Sequence, residues 1–177
     1  MIGGARDMPG VTLAPATRAD APELIRGNLE SRGHHHPWAA PFTDQAGFDA
    51  WFARTLTGPH VGLVVREAAS GRVAGVVNLT EIVANPFYQG AYLGYHGMAA
   101  LAGRGLMTEA VRLAAARAFG GLGLHRLEAN IQPGNARSIA LVRRLGFRLE
   151  GFSPRYLRVG GEWRDHERWA LLADEPR

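Results

Sequence analysis

Cysteine is absent from the 177-residue chain, and lysine is absent with it. Without cysteine there are no disulfides, thiolate metal sites or cysteine nucleophiles. Without lysine there is no Walker-type phosphate loop, which needs Gly-Lys-Ser/Thr, and no Schiff-base lysine. All 20 basic residues are therefore arginine. No apolar run approaches the roughly 18 residues that span a bilayer. The opening MIGGARDMPG lacks the charged and apolar regions of a secretory signal. A cytoplasmic protein without membrane contact fits these absences. The formal charge is only +4 despite a pI near 10.3. That is too little to imply direct nucleic-acid binding; it suits a polyanionic ligand or a ribosome-associated partner. A plain compositional preference for arginine explains it equally well.

What is present is an ordinary globular composition, 46% hydrophobic, of single-domain length. Residues 1–10 read as a tail open to disorder, and 11–173 as the domain. Val11 to Ala16 is β-like, and Thr17-Arg18-Ala19-Asp20 resembles a helix N-cap leading through Leu24, Ile25 and Leu29. His34-His35-His36-Pro37-Trp38 breaks that helix into an extended loop. Phe48, Trp51, Phe52 and Leu56 mark a second helix from Asp44 to Leu56. Val61–Glu67 and Val73–Val83 form a hairpin around Ser70-Gly71, and Ala91–Met98 is a third strand. A helix carrying Met107, Val111, Ala114, Ala115 and Ala118 on one face follows, then a strand Arg126–Ile131. Asn135 caps a helix lined by Ile139, Val142 and Leu145. Phe147–Leu149, Arg155–Val159 and Trp163–Leu172 supply closing strands. The class is α/β (α+β): one domain with a mixed, mostly antiparallel sheet and flanking helices.

Two segments carry chemistry. The first is Leu101-Ala102-Gly103-Arg104-Gly105-Leu106-Met107-Thr108-Glu109-Ala110. Glycines flank one arginine just before a helix, so the turn bares N–H groups where an anion can sit. A dinucleotide fold would place a third glycine at Thr108, early in a βαβ unit; here the turn lies past mid-chain. The second is Pro133-Gly134-Asn135-Ala136-Arg137-Ser138, running on as IALVRRLGF. Taken alone, Asn135 and Ser138 have ordinary capping roles.

Together, and in this order, the two segments resemble the Gcn5-related N-acetyltransferase (GNAT) superfamily, from about Thr12 to Leu172. Tyr92-Leu93-Gly94-Tyr95, Leu124-His125-Arg126, Asn28-Leu29 with Pro37-Trp38, and the tail YLRVGGEWRDHERWALL resemble its ribosomal-protein alanine N-acetyltransferases. The resemblance implies a GNAT fold with splayed central strands, Ala91–Met98 and Arg126–Ile131. It implies acetyl-CoA as cosubstrate. The pantetheine arm would run along Met98, Ala99 and Ala100, and the pyrophosphate would meet Gly103, Arg104, Gly105, Leu106, Met107 and Thr108. Asn135 would contact the coenzyme, Ser138 would serve the leaving sulfur, and a backbone N–H near Met98 would hold the oxyanion. Family members usually carry Gln or Arg where this chain has Ala100.

Glu81, on the strand before the Asn85-Pro86 turn, is the choice for general base, with Tyr92 and His96 as the alternatives. An α-amine of pKa near 7.8 is about one-quarter neutral at pH 7.4, whereas a lysine amine near 10.4 is about 0.1% neutral. A chain without a strong base therefore suits a protein N-terminus, such as that of a ribosomal protein, acetylated by direct transfer. A small-molecule amine and a non-catalytic CoA-binding module are the alternatives, and a homodimer stays open. No residue is assigned to a metal, because neighbours of His34-His35-His36 lack ligand spacing.

Overall fold

The computed structural model describes residues 10–175, so the expected 1–10 tail falls, except for Gly10, outside the described residues. Seven strands form one sheet in the order β1-β2-β3-β4-β5-β7-β6. The strands are β1 (Val11–Pro15), β2 (Val61–Glu67), β3 (Val73–Ala84), β4 (Gln89–Gly97), β5 (Arg126–Ile131), β6 (Arg148–Val159) and β7 (Glu162–Leu172). The helices are α1 (Ala21–Glu30), α2 (Arg32–His35), α3 (Gln45–Thr57), α4 (Leu106–Ala116) and α5 (Ala136–Arg144).

The central strands are apolar because helices cover both faces. In β2, Gly62 to Val65 are buried in succession. On one face Val65, Val77, Leu79, Leu93 and Leu127 pack against Ala110, Val111, Ala114 and Ala115 of α4 and Leu141 and Val142 of α5. Alanines let α4 lie close across the sheet. On the other face Val64, Val76 and Met98 meet Leu24 of α1 and Phe48 and Phe52 of α3. Asp44 caps α3 by accepting the Gly47 N–H at 2.7 Å, as its place before an apolar stripe predicts.

All strand pairs are antiparallel except β4–β5. That parallel pairing is short: Gly90, Ala91 and Tyr92 face Arg126, Leu127 and Glu128. Beyond Tyr92 the two strands part, and the opening between them positions the site. Two local expectations differ from the structure. His34 and His35 belong to the helical turn α2 rather than to an extended loop. The expected strands Phe147–Leu149 and Arg155–Val159 are, from Arg148 onward, one long strand, β6, whose register shifts between Ser153 and Leu157. Pro154 cannot donate to a ladder and is tolerated at such an edge bulge, where Arg155 takes φ +46° and its N–H bonds Asp165 at 2.7 Å.

Candidate active site

The glycine turn is built as an open helix end. Gly103 and Gly105 take φ +76° and +77°, a left-handed conformation that glycine adopts without penalty. Gly105 is the N-cap of α4 and supplies no side-chain acceptor. The Glu109 N–H bonds the Gly105 carbonyl at 3.1 Å, so the N–H groups of Leu106, Met107 and Thr108 have no intrahelical acceptor. They lie at the positive end of the helix dipole. Arg144 of α5 reaches Thr108 Oγ1 at 3.5 Å and adds a cation beside this end. The Arg104 side chain turns away to an ion pair with the buried Glu67, which also accepts from Ser70 at 2.5 Å. Arg104 thus fastens the turn to β2 and leaves its backbone to face an anion.

Where β4 and β5 part, Gly94, Tyr95 and His96 of β4 and Asn130 and Ile131 of β5 line a cleft of about 590 Å³. Ladder parity decides which β4 groups face it. The Met98 N–H donates to Ala74 at 2.8 Å, so alternate residues, His96 and Gly94, also pair with β3. Tyr95 and Gly97 therefore turn their N–H groups toward the splay. The Gly97 carbonyl accepts from His35 Nε2 at 2.8 Å.

The cleft wall draws on distant segments: Trp38 and Phe42 before α3, Trp51 and Arg54 in α3, Asn78 in β3, Asn130 in β5, and Asn135 and Ser138 at the start of α5. Trp51 Nε1 donates to Asn78 Oδ1 at 2.9 Å. Gln132 donates to the carbonyls of Pro37 and Trp38 at 3.3 and 3.2 Å, tying the loop after α2 to the end of β5. A Cβ at Gly134 would lie 2.9 Å from the Trp38 ring, so only glycine lets that indole close over the β5–α5 turn. Asn135 Oδ1 accepts the Ser138 N–H at 3.2 Å, the capping role its sequence predicts. The Ser138 hydroxyl has no hydrogen-bond partner among the described residues and lines the cleft. Among the described residues no aspartate or glutamate lines the cleft; its formal charges are Arg54 and Arg158.

Comparison with known proteins agrees with this geometry. The acetyltransferase (GNAT) domain family matches residues 11–148. The chain belongs to the GNAT family. The [ribosomal protein uS5]-alanine N-acetyltransferase of Escherichia coli is 40% identical over 103 residues, 58% of this chain and 53% of that protein. The probable N-acetyltransferase YjcK of Bacillus subtilis is 38% identical over 113 residues, 64% of this chain and 61% of that protein. The chain thus spans little more than half the length of these relatives. Among solved structures, Mycobacterium smegmatis RimJ in complex with CoA-disulfide has a TM-score of 0.83 at 28% identity, covering 94% of this chain and 84% of that one. A spermidine N-acetyltransferase from Vibrio cholerae, in complex with CoA and spermine, shares the fold at TM-score 0.78 and 20% identity, covering 93% and 96%.

Against the GNAT framework, several sequence expectations need correction. Met98 N–H cannot serve as a free oxyanion donor, because it belongs to the β3–β4 ladder. Ala99 N–H is engaged too, donating to Ser31 Oγ at 2.9 Å. Met98, Ala99 and Ala100 instead border a separate hollow of about 200 Å³ with Arg26, Gly27 and Arg72. Glu81 is not on the cleft wall. It occupies a β3 bulge at φ +50°, with its mostly exposed side chain 3.8 Å from His60. Tyr92 is also off the wall; its hydroxyl meets that of Tyr156 at 3.3 Å. That hydrogen bond, with burial, pushes its phenol up to about 12, so it holds its proton at neutral pH. His96 does line the cleft. The three adjacent histidines diverge: His34 faces Arg137 at 3.1 Å, and His35 packs its ring on His96 at 5.1 Å.

Sequence reasoning missed Trp51, Asn78, Asn130, Gln132, Arg144 and His166. Asn130 carried a signal: it is a polar residue in a strand whose other face, Leu127, Ala129 and Ile131, is buried.

Proposed function

We propose that the protein is an acetyl-CoA-dependent N-acetyltransferase, with residues 11–173 as its catalytic domain and a protein N-terminal α-amine as its acceptor. One observation carries the proposal: strands β4 and β5 part just where α4 presents three N–H groups without acceptors. A pantetheine arm fits a slot edged by strand N–H and C=O groups, and a pyrophosphate fits a bare helix N-terminus. Coenzyme A supplies an activated acetyl group. The chain supplies position and hydrogen bonds, which account for much of such catalysis. Gly97 N–H, facing the splay, is the N–H near Met98 that holds the oxyanion. Ser138 Oγ serves the leaving sulfur.

The acceptor assignment rests on the wall. A polyamine or aminoglycoside needs carboxylates, and the cleft offers arginines. Trp38, Phe42 and Trp51 suit a neutral first side chain. The E. coli relative, named for acetylating a ribosomal-protein alanine, supports the same acceptor. A small neutral or acidic amine is the second candidate, favoured by a cleft volume of about 590 Å³, within the usual small-molecule range.

Free-thiol release from acetyl-CoA tests the acceptor class, using peptides beginning Ala, Ser, Thr or Met beside small amines and spermidine. Turnover on alanine- or serine-initial peptides, with spermidine inert, is expected. Turnover confined to small amines would replace the protein acceptor. Silence with every acceptor would reject catalysis on free amines.

A further inference from the structure

We propose that His166 accepts the proton of the incoming amine. The proposal rests on the acetyl-transfer function above. His166 lies on β7, only 3% exposed, and lines the cleft. Its Nδ1 is 2.9 Å from the Arg164 carbonyl oxygen. A carbonyl only accepts, so Nδ1 carries the hydrogen and Nε2 carries the lone pair. Among the described residues, the sealed side-chain atoms without partners are His35 Nδ1, Asn130 Oδ1 and Arg164 Nε. His166 Nε2 has no protein partner and is not sealed, and the cleft is the opening its ring lines.

Asn130 lines the same wall, but its Oδ1 is sealed and out of reach of an amine in the cleft. Strand register brings the two residues together. Asn130 pairs with Arg168 and Ile131 with Glu167, so His166 follows on the same face as Asn130, one diagonal away. Diagonal neighbours have Cβ atoms about 7–8 Å apart.

His96 is the competing base. Asn28 Nδ2 donates to the Phe42 carbonyl at 3.0 Å, so Asn28 Oδ1 accepts from His96 Nε2 at 3.0 Å. Its Nδ1 lone pair is a weak base, because burial and His35 push the ring down to about 3. Around His166 stand Tyr156, at 6.4 Å between rings, and Arg158 from β6, Arg54 from α3, His96 from β4, and Arg164 on its own strand.

The step balances. The ammonium gives one proton to His166 Nε2, and thence to water. Its lone pair forms the N–C bond as the C–S bond breaks. The second nitrogen proton ends on sulfur through the Ser138 hydroxyl.

The test is His166→Gln, assayed on an alanine-initial peptide from pH 6 to 9. Expected is a kcat loss of about 100-fold or more at pH 7, with the acetyl-CoA KM unchanged. The deficit should shrink at high pH, where solvent deprotonates the amine. Wild-type kcat and pH profile in the variant would overturn the role of His166 alone; no transfer by the wild type would overturn the acetyl-transfer function beneath it. If the variant does not fold, ¹⁵N-imidazole spectra of the wild type decide instead. An Nδ1–H tautomer for His166 supports the proposal, and an Nε2–H tautomer refutes it.

Discussion

Replacing Gly105 with aspartate separates the fold from the anion site it builds. At φ +77° an L-residue costs about 1–2 kcal/mol. A Cβ there meets nothing within 4 Å, so no clash is added. The carboxylate lies at the N-terminus of α4, where the dipole returns about 0.3–1 kcal/mol. Net destabilisation is then about 1 kcal/mol, a Tm loss of about 2–4 °C for a chain of this size. Coenzyme binding suffers more. A carboxylate about 5 Å from one phosphate charge, at an effective dielectric near 20, is opposed by about 3 kcal/mol, or about 100-fold in Kd. Gly105→Ala carries the same strain without the charge and should weaken binding less than about tenfold. Calorimetric titration with acetyl-CoA, beside thermal melts of both variants, measures the two terms independently. An unchanged acetyl-CoA Kd in Gly105→Asp would refute the assignment of the turn.

Three further outcomes are expected. Ser138→Ala should leave the acetyl-CoA Kd within about twofold and lower kcat by about tenfold or more; steady-state thiol release decides, and a wild-type kcat removes Ser138 from the chemistry. Glu81→Gln should keep kcat within about threefold, because Glu81 lies off the cleft wall; a loss on the order of 100-fold would restore it as the base. Stability should fall below pH 6.5. Burial holds His96 uncharged down to about 3, so the unfolded chain binds a proton that the folded chain does not. That contribution is full above about pH 6.5 and is lost as pH falls toward 3, reaching about 2 kcal/mol at pH 5. His34 and His35 are shifted in the same direction. Urea melts at pH 7 and 5 should show the drop, reduced in His96→Asn; equal midpoints would contradict it.

The legible parts of this protein are those written in local pattern. The Ser70-Gly71 hairpin, the apolar face of α4, the Asn135 cap and the Gly103–Gly105 turn all lie within a few residues of their cause. The acceptor side is different. Trp38, Trp51, Asn78, Asn130 and His166 meet only through sheet order and loop closure, and no spacing joins them in sequence. Which N–H near Met98 faces the splay is hidden from the sequence for a related reason. Strand parity decides which N–H groups face the splay, and parity here is set by the pairing of β4 with β3, through the Met98 N–H on the Ala74 carbonyl. The expectation of two strands, Phe147–Leu149 and Arg155–Val159, missed one continuous β6 because the tolerance of Pro154 at an edge bulge is a property of the assembled sheet.

A crystal structure with bound coenzyme A tests the account most directly. The pyrophosphate should lie within hydrogen-bond distance of the Leu106, Met107 and Thr108 N–H groups, and the pantetheine arm should run between β4 and β5 toward Gly97 and Ser138. Coenzyme bound elsewhere on the sheet, or a pantetheine arm that does not enter the splay, would contradict it.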